Sequence, residues 1–418
     1  MAGLAAARRL AESGIPVMVL EARNRVGGRI HTQREGNEII ELGAEFIHGR
    51  PPELWRLIRE AHLDAYQVDG QNVCYEGGKL EGCSELGGTF KFLQGLKEWK
   101  GPDIAFADYP PLGKLSPEKR EQVIHFVQGF NAADFRRISV HALAVQQDAE
   151  DKIGGDRAYR IKGGYACLPN FLAEKLRKAG GRIELSTEVE RILWGRGGVK
   201  VQARAHGETL QYSAGRANIT LPLGVLQQRS VEFQPPPRAL AYADQLCMGP
   251  VRRFTLQFRE RFWADSSASI HLPQLSFLFA HDAMPPVWWT AHPVESHTLT
   301  GWVGGPRSTC FDQFTREQVG DAACQELARI FSMPLEYLRA QLIRCASHDW
   351  QTDPFSYGAY SYVPAGGLEV ILKLVQPVDS TLYFAGEHTD TTGHWGTVHA
   401  AIRSGHRAAD EILSAARP

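Results

Sequence analysis

Glu21 ends the apolar run Val17-Met18-Val19-Leu20 and is followed by Ala22-Arg23-Asn24-Arg25-Val26-Gly27-Gly28-Arg29. A short hydrophobic strand closed by a carboxylate is how a nucleotide-binding βαβ unit offers an acceptor to ribose hydroxyls. Gly27 and Gly28 allow a backbone to approach a ligand closely, and Arg29 can form charge-assisted bonds to phosphate. Leu42-Gly43-Ala44-Glu45 is a second small-residue turn, placed after Ile39-Ile40-Glu41. Glu21 alone could be a solvated strand end. The combination reads as a nucleotide site.

Other chemistries find little support. No G-x-S-x-G or H-E-x-x-H string occurs. The cysteines are Cys74, Cys83, Cys167, Cys247, Cys310, Cys324 and Cys345, with no C-x-x-C and no zinc-module spacing. The expectation is no metal site, and free thiols in a reducing compartment. A formal net charge of -1 supplies no global field for nucleic acid or an anionic membrane. Arg252, Arg253, Arg259 and Arg261 alternate with Phe254, Leu256 and Phe258, which suggests a strand with one wet face. No apolar run approaches ~18 residues, so no membrane span is expected. The first residues lack a signal-peptide build, and a cytoplasmic location is the expectation.

These residues need elements to position them. A helix is expected over Ala5–Ala11, stopped by Gly14. A strand and a glycine turn should precede it, yet only Gly3 stands for the G-x-G-x-x-G pattern. The start therefore reads as truncated, with an apolar strand and two further glycines expected upstream. A helix follows near Pro52–Ala61. Gly77-Gly78 and Gly87-Gly88 read as chain breaks before helices at Pro117–Phe130 and Val140–Gln146, a helical insertion. Tyr159–Tyr165 is expected to open the helix carrying Leu168, Phe171, Leu172 and Leu176. Strands are expected at Arg182–Leu185, Thr187–Ile192, Val199–Ala203 and Thr209–Tyr212. Pro235 to about Trp350 reads as strand-rich and aromatic. A last strand, Thr381–Ala385, leads through Gly386-Glu387 to a helix at Thr397–Leu413.

At 418 residues two domains are expected. The fold class is mixed α/β: a Rossmann-like cofactor domain from 1–70, 157–240 and 350–418, interleaved with a substrate domain from 71–156 and 241–349. This split favours a flavin over a nicotinamide, because a long FAD needs contacts along its whole length.

The residues also carry a family likeness. Leu20-Glu21-Ala22-Arg23 with Gly27-Gly28-Arg29, Leu42-Gly43-Ala44 with Ile47-His48-Gly49, Ala385-Gly386-Glu387-His388, and Gly396-Thr397-Val398-His399 together resemble the flavin-containing amine oxidases. That family includes monoamine and polyamine oxidases and flavin-type histone lysine demethylases. The likeness runs over nearly the whole chain. It implies FAD-dependent oxidation of an amine by hydride transfer to flavin N5, with oxygen reoxidising the flavin to give peroxide. The partners implied are a small-molecule amine and molecular oxygen, with the chain a monomer or homodimer.

Residue by residue, the resemblance makes Glu21 the ribose ligand within Ala22-Arg23, with Arg29 a pyrophosphate contact beside Gly28, Gly43 and Ala44. Val189 falls where the family brackets the adenine. Glu387, after Gly386, falls where the family reaches the ribityl or pyrophosphate portion. Gly396, Thr397 and Val398 start the terminal helix beneath the flavin ring, with Thr397 equally readable as an N-cap. Tyr360 aligns with an aromatic wall of the amine cage, with Phe46 beside it. Thr397 replaces a second tyrosine, and Trp395 or Trp289 are the candidates to substitute, although each reads equally well as core. Ala359 stands where monoamine oxidases carry a flavin-linking cysteine, so FAD should be non-covalent. Arg253 occupies the frame of a lysine that holds water at flavin N5, keeping the charge but not the compact geometry. His48 resembles a histidine near the substrate amine, against the commoner structural role of a lone histidine. The alternatives are an L-amino-acid oxidase, a flavoprotein-like scaffold without activity, and, more weakly, a nicotinamide dehydrogenase.

Overall fold

The computed structural model describes residues 1–36, 38–83, 86–265 and 270–416. The first helix, Ala2–Glu12, is alanine-rich and buries Ala2, Leu4, Ala5, Ala6, Ala7, Leu10 and Ala11. Its small side chains let the terminal helix, Val398–Ala416, come close. A Cβ added to Gly405 would sit 2.3 Å from the Ala2 carbonyl oxygen, so this crossing depends on glycine. Gly3 lies in the first helical turn, where a Cβ would meet Thr220 Oγ1 at 3.0 Å.

Parallel strand pairs flank the first helix. Met18–Leu20 pairs with Arg182–Glu184, and Ala217–Ile219 pairs with Leu382–Phe384. Parallel pairing of short apolar strands covered by helices is the α/β arrangement expected for the cofactor half. A four-stranded sheet of Glu208–Ala214, Gly198–Ala205, Thr187–Gly195 and Glu232–Gln234 adjoins it.

Opposite stands a seven-stranded sheet, ordered Leu342–Ser347, Val251–Phe258, Thr298–Gly304, Val287–Trp289, Leu275–Phe279, Gln71–Glu76 and Lys79–Gly82. The strand Val251–Phe258 is buried on both faces rather than wet on one. Helix Arg316–Phe331 covers one face, packing Ala323, Leu327 and Phe331 into the core with Phe254, Leu256 and Phe258.

Several expectations need correction. Residues 235–350 are strand-rich as expected, and the helix Arg316–Phe331, which sequence reasoning missed, opens there with a capping box of Thr315 and Gln318. Gly87 and Gly88 lie inside helix Leu86–Gln94 instead of breaking the chain. The segment Ala158–Ile161 is a strand between Ile47–His48 and Ala65–Gln67, and the helix begins only at Cys167. The cysteines are not all free: Cys74 and Cys83 form a disulfide across the hairpin of Gln71–Glu76 and Lys79–Gly82. No helix among the described residues is long and apolar enough to cross a membrane.

Candidate active site

A cavity of about 1750 Å³ runs between the parallel strands and the large sheet. Drug-sized ligands fill roughly 300–1,000 Å³, so this space suits a long ligand with a second molecule at its end. At one end it is lined by Gly3, Glu21, Ala22, Arg23, Gly28, Arg29 and Val189.

Glu21 follows the strand Met18–Leu20, and its Oε1 accepts the Arg23 backbone N–H at 2.9 Å. Burial raises its pKa, opposed by that bond and by the charges of Arg23 and Arg25. Gly27 and Gly28 have φ of 108° and 62°, conformations that favour glycine. Arg25 fixes their turn, donating to the Ile30 and Gly28 carbonyls at 2.8 and 2.9 Å. Nothing lies within 4 Å of a Cβ built on Gly28, so its backbone faces open space. At Gly43 a Cβ would sit 1.9 Å from the Arg29 carbonyl oxygen, so no side chain fits. The Ala44 N–H donates to that same oxygen at 3.1 Å.

Two arginines tie this end together. Arg23 makes a bidentate pair with Asp353 at 2.8 and 2.9 Å. Arg29 Nη1 donates to Glu387 Oε1 at 2.7 Å and to the Ala359 carbonyl at 2.8 Å. Glu387 also accepts from Ser361 Oγ at 2.6 Å and from the Gly396 N–H at 2.9 Å. Burial would raise its pKa, but Arg29 and these donors bring it below the usual carboxylate value. Both oxygens are thus spent on protein partners, and Glu387 fixes the positions of Arg29 and the loop after Gly386.

The other end is aromatic. Tyr360 stacks on Trp302 at 6.4 Å, Trp302 meets Trp289 at 5.9 Å, and Trp289 meets Phe46 at 5.4 Å. Phe277 contacts both Phe46 and Trp289. His48 bridges Phe46 and Phe130 at 6.3 and 5.5 Å, and the Tyr360 hydroxyl donates to the Phe130 carbonyl at 2.9 Å. Desolvation holds His48 near pKa 4, so it is neutral at ordinary pH. Trp395 does not join this set. Its Nε1 donates to the Asp390 carbonyl at 2.7 Å, and its ring packs in the core with Ala142, Val363 and Leu374. Thr397 caps the terminal helix, accepting the Ala400 N–H at 3.2 Å, so the N-cap reading holds. Trp395, Gly396, Thr397 and Val398 all line the cavity.

Arg253 is buried beneath these rings. Nη1 donates to the Gly43 carbonyl at 2.7 Å, Nη2 pairs with Glu45, and the guanidinium lies 5.5 Å from the Trp289 ring centre. Glu45 also lies 2.7 Å from Arg160 Nε and accepts the Trp289 Nε1–H at 3.1 Å. Burial pushes the Glu45 carboxyl up, but the two guanidiniums outweigh it, so it stays ionised. Sequence reasoning missed Glu45, Arg160, Trp302, Phe130 and Phe277 as parts of this chamber. Only strand register could have found Trp302, which pairs directly opposite Arg253.

The flavin containing amine oxidoreductase family matches residues 1–102 and 104–413. The chain belongs to that family. The chain is 29% identical, over its whole length, to Lysine-specific histone demethylase 1 homolog 2 of Arabidopsis thaliana, spanning 58% of that protein. It is 28% identical to Polyamine oxidase 2 of the same plant, with 98% of this chain and 85% of that one covered. The fold superimposes on putrescine oxidase bound to putrescine with a TM-score of 0.82, covering 99% and 97% of the two chains at 20% identity. Cyclohexylamine oxidase from Brevibacterium oxydans gives 0.79 at 21% identity, with the same coverage.

Proposed function

We propose that this protein oxidises a small neutral amine, with FAD held non-covalently along the cavity. The observation that carries the reading is that one cavity joins a carboxylate-ended strand and glycine turns to a chamber of stacked aromatic rings. The residues fit the cofactor. Glu21 offers an acceptor to ribose hydroxyls, Gly28 turns bare backbone toward the space, and position 359 carries no thiol for a covalent link. The start of the terminal helix, from Gly396 to Val398, brings positive dipole to the electron-accepting end.

The chemistry FAD supplies when bound is acceptance of a hydride from the amine α-carbon at N5, with oxygen as terminal acceptor and peroxide as product. The protein's part is placement and field. Tyr360, Trp302, Trp289 and Phe46 hold the apolar body of the amine and keep water away. Neutral His48 places no positive charge against an ammonium and offers a lone pair to its proton. Arg253 has both ends committed to Gly43 and Glu45, so it is poorly placed to clamp a substrate carboxylate. That disfavours an L-amino-acid oxidase. The core around Val73, Phe254, Trp288 and Leu327 is separate from that around Leu4, Leu168 and Ile402, which supports setting the large sheet apart from the cofactor half. Ala142, in the helical insertion, packs with Ile192 and Val363 across that division. Oxygen consumption with matched primary amines, secondary amines and α-amino acids tests the reading. Amines should be preferred, and preference for the amino acids would overturn it.

A further inference from the structure

Three ligand-type side chains meet behind the loop that leads into the terminal helix. Glu150 comes from helix Val140–Ile153, His394 from the loop, and His399 from the first turn of Val398–Ala416. Their ligand atoms all lie within 4.8 Å of one another. The two imidazoles meet edge to face at 4.7 Å, and His394 and His399 are 5% and 2% exposed. Glu150 Oε2, His394 Nε2 and His399 Nε2 are each buried without a hydrogen-bond partner. Buried polar atoms are nearly always paired, so three orphans at one point call for a shared partner.

The surroundings suit a cation. His394 Nδ1 lies 3.2 Å from Thr392 Oγ1, which donates to Asp390 Oδ2 at 2.7 Å, so Nδ1 is engaged and Nε2 is the ring nitrogen left for a cation. Arg403 Nη1 also lies 3.0 Å from Nδ1 and donates to Thr392 Oγ1, while its Nη2 pairs with Glu53 at 2.5 Å and Nη1 lies 3.6 Å from Asp390. Three carboxyl groups, Glu150, Asp390 and Glu53, thus face Arg403 and the exposed Lys152. Gly155 leaves the room: a Cβ there would sit 2.0 Å from Glu150 Oε2.

The geometry points to a divalent metal site of the zinc class, with Glu150, His394 and His399 as its three protein ligands. Two imidazoles and a carboxylate match the borderline softness of zinc, and three protein ligands leave a fourth position open. Zinc–ligand bonds of about 2.0–2.2 Å would draw the three atoms together. The ion then ties the Trp395-Gly396-Thr397 loop to the helical insertion.

Metal content tests this on the full chain. Chelator-treated protein is dialysed against zinc and then metal-free buffer, and zinc is counted by mass spectrometry. Wild type should retain about one zinc per chain, with Glu150→Gln and His399→Asn each retaining less than about a tenth of that at native circular dichroism. Zinc absorption spectroscopy on loaded wild type needs no variant and should show two imidazole nitrogens and oxygen. No retained zinc in wild type, full retention in both variants, or sulfur ligation would each overturn the site.

Discussion

Replacing Glu45 with alanine should be among the most damaging single changes near the aromatic chamber. The side chains of Glu45, Arg253 and Arg160 are 11%, 5% and 6% exposed. Removing the carboxylate leaves two guanidiniums and the Trp289 N–H facing space that cannot solvate them well. Breaking a buried pair from one side costs about 3–5 kcal/mol. The orphaned Trp289 donor adds to this, while the surviving bond from Arg253 to the Gly43 carbonyl takes some back. A net loss of about 3–5 kcal/mol is a large part of a typical total of about 5–15 kcal/mol. Equilibrium urea unfolding reads it directly, with Glu45→Gln as the comparison. The amide oxygen still accepts from Trp289 and one arginine, so that variant should lose at least ~1 kcal/mol less. A loss below ~1 kcal/mol for Glu45→Ala, the range of exposed pairs, would refute the reasoning.

Further outcomes follow from the same contacts. Glu21→Ala should weaken FAD by ~1.5–3 kcal/mol, about 10- to 150-fold in dissociation constant, because the ribose loses a charged acceptor; flavin titration with unchanged affinity would remove that role. Arg253→Lys should perturb both half-reactions, since one ammonium cannot span the Gly43 carbonyl and Glu45 together; stopped-flow rates equal to wild type in both would show that the span does not matter. Burial raises Glu41 from 4.5 to about 7, against the bonds it accepts from the Tyr165 N–H and Thr32. A raised folded pKa gives stability that is complete below pH 4.5 and lost as pH rises through 7. Wild type should therefore lose up to about 3 kcal/mol across that window relative to Glu41→Gln, and a pH-independent difference in urea midpoint would contradict it.

The cofactor end was legible in the residues because its signals are local. An apolar run closed by Glu21, the Gly27-Gly28 turn, and a last strand leading through glycine to a helix each lie within a few residues. The chamber was less legible because its contacts are distant in sequence. Arg253 and Glu45 are 208 residues apart, and Trp302 reaches Tyr360 only through sheet register. Trp395 is shared between cavity and core: it lines the cavity beside Gly396, while its ring also packs against the core residues Ala142, Val363 and Leu374. Gly87 and Gly88 read as breakers, yet they sit in the first turn of Leu86–Gln94, where glycine costs about 1 kcal/mol and burial of Thr89 and Leu93 anchors the helix. Helix Arg316–Phe331 was hidden between the strands Thr298–Gly304 and Leu342–Ser347, although Thr315-x-x-Gln318 announced its start. The Cys74–Cys83 bond follows from a hairpin that brings together residues nine apart, which cysteine spacing alone could not show.

The central claim is that the protein takes electrons from an amine onto a bound flavin. Purified protein supplied with FAD, kept anaerobic and mixed with a neutral alkylamine or diamine in a stopped-flow spectrophotometer, tests that claim most directly. The visible flavin bands should bleach in an amine-dependent phase and return when oxygen is admitted. Bound flavin that no amine bleaches, or that only α-amino acids bleach, would contradict the account.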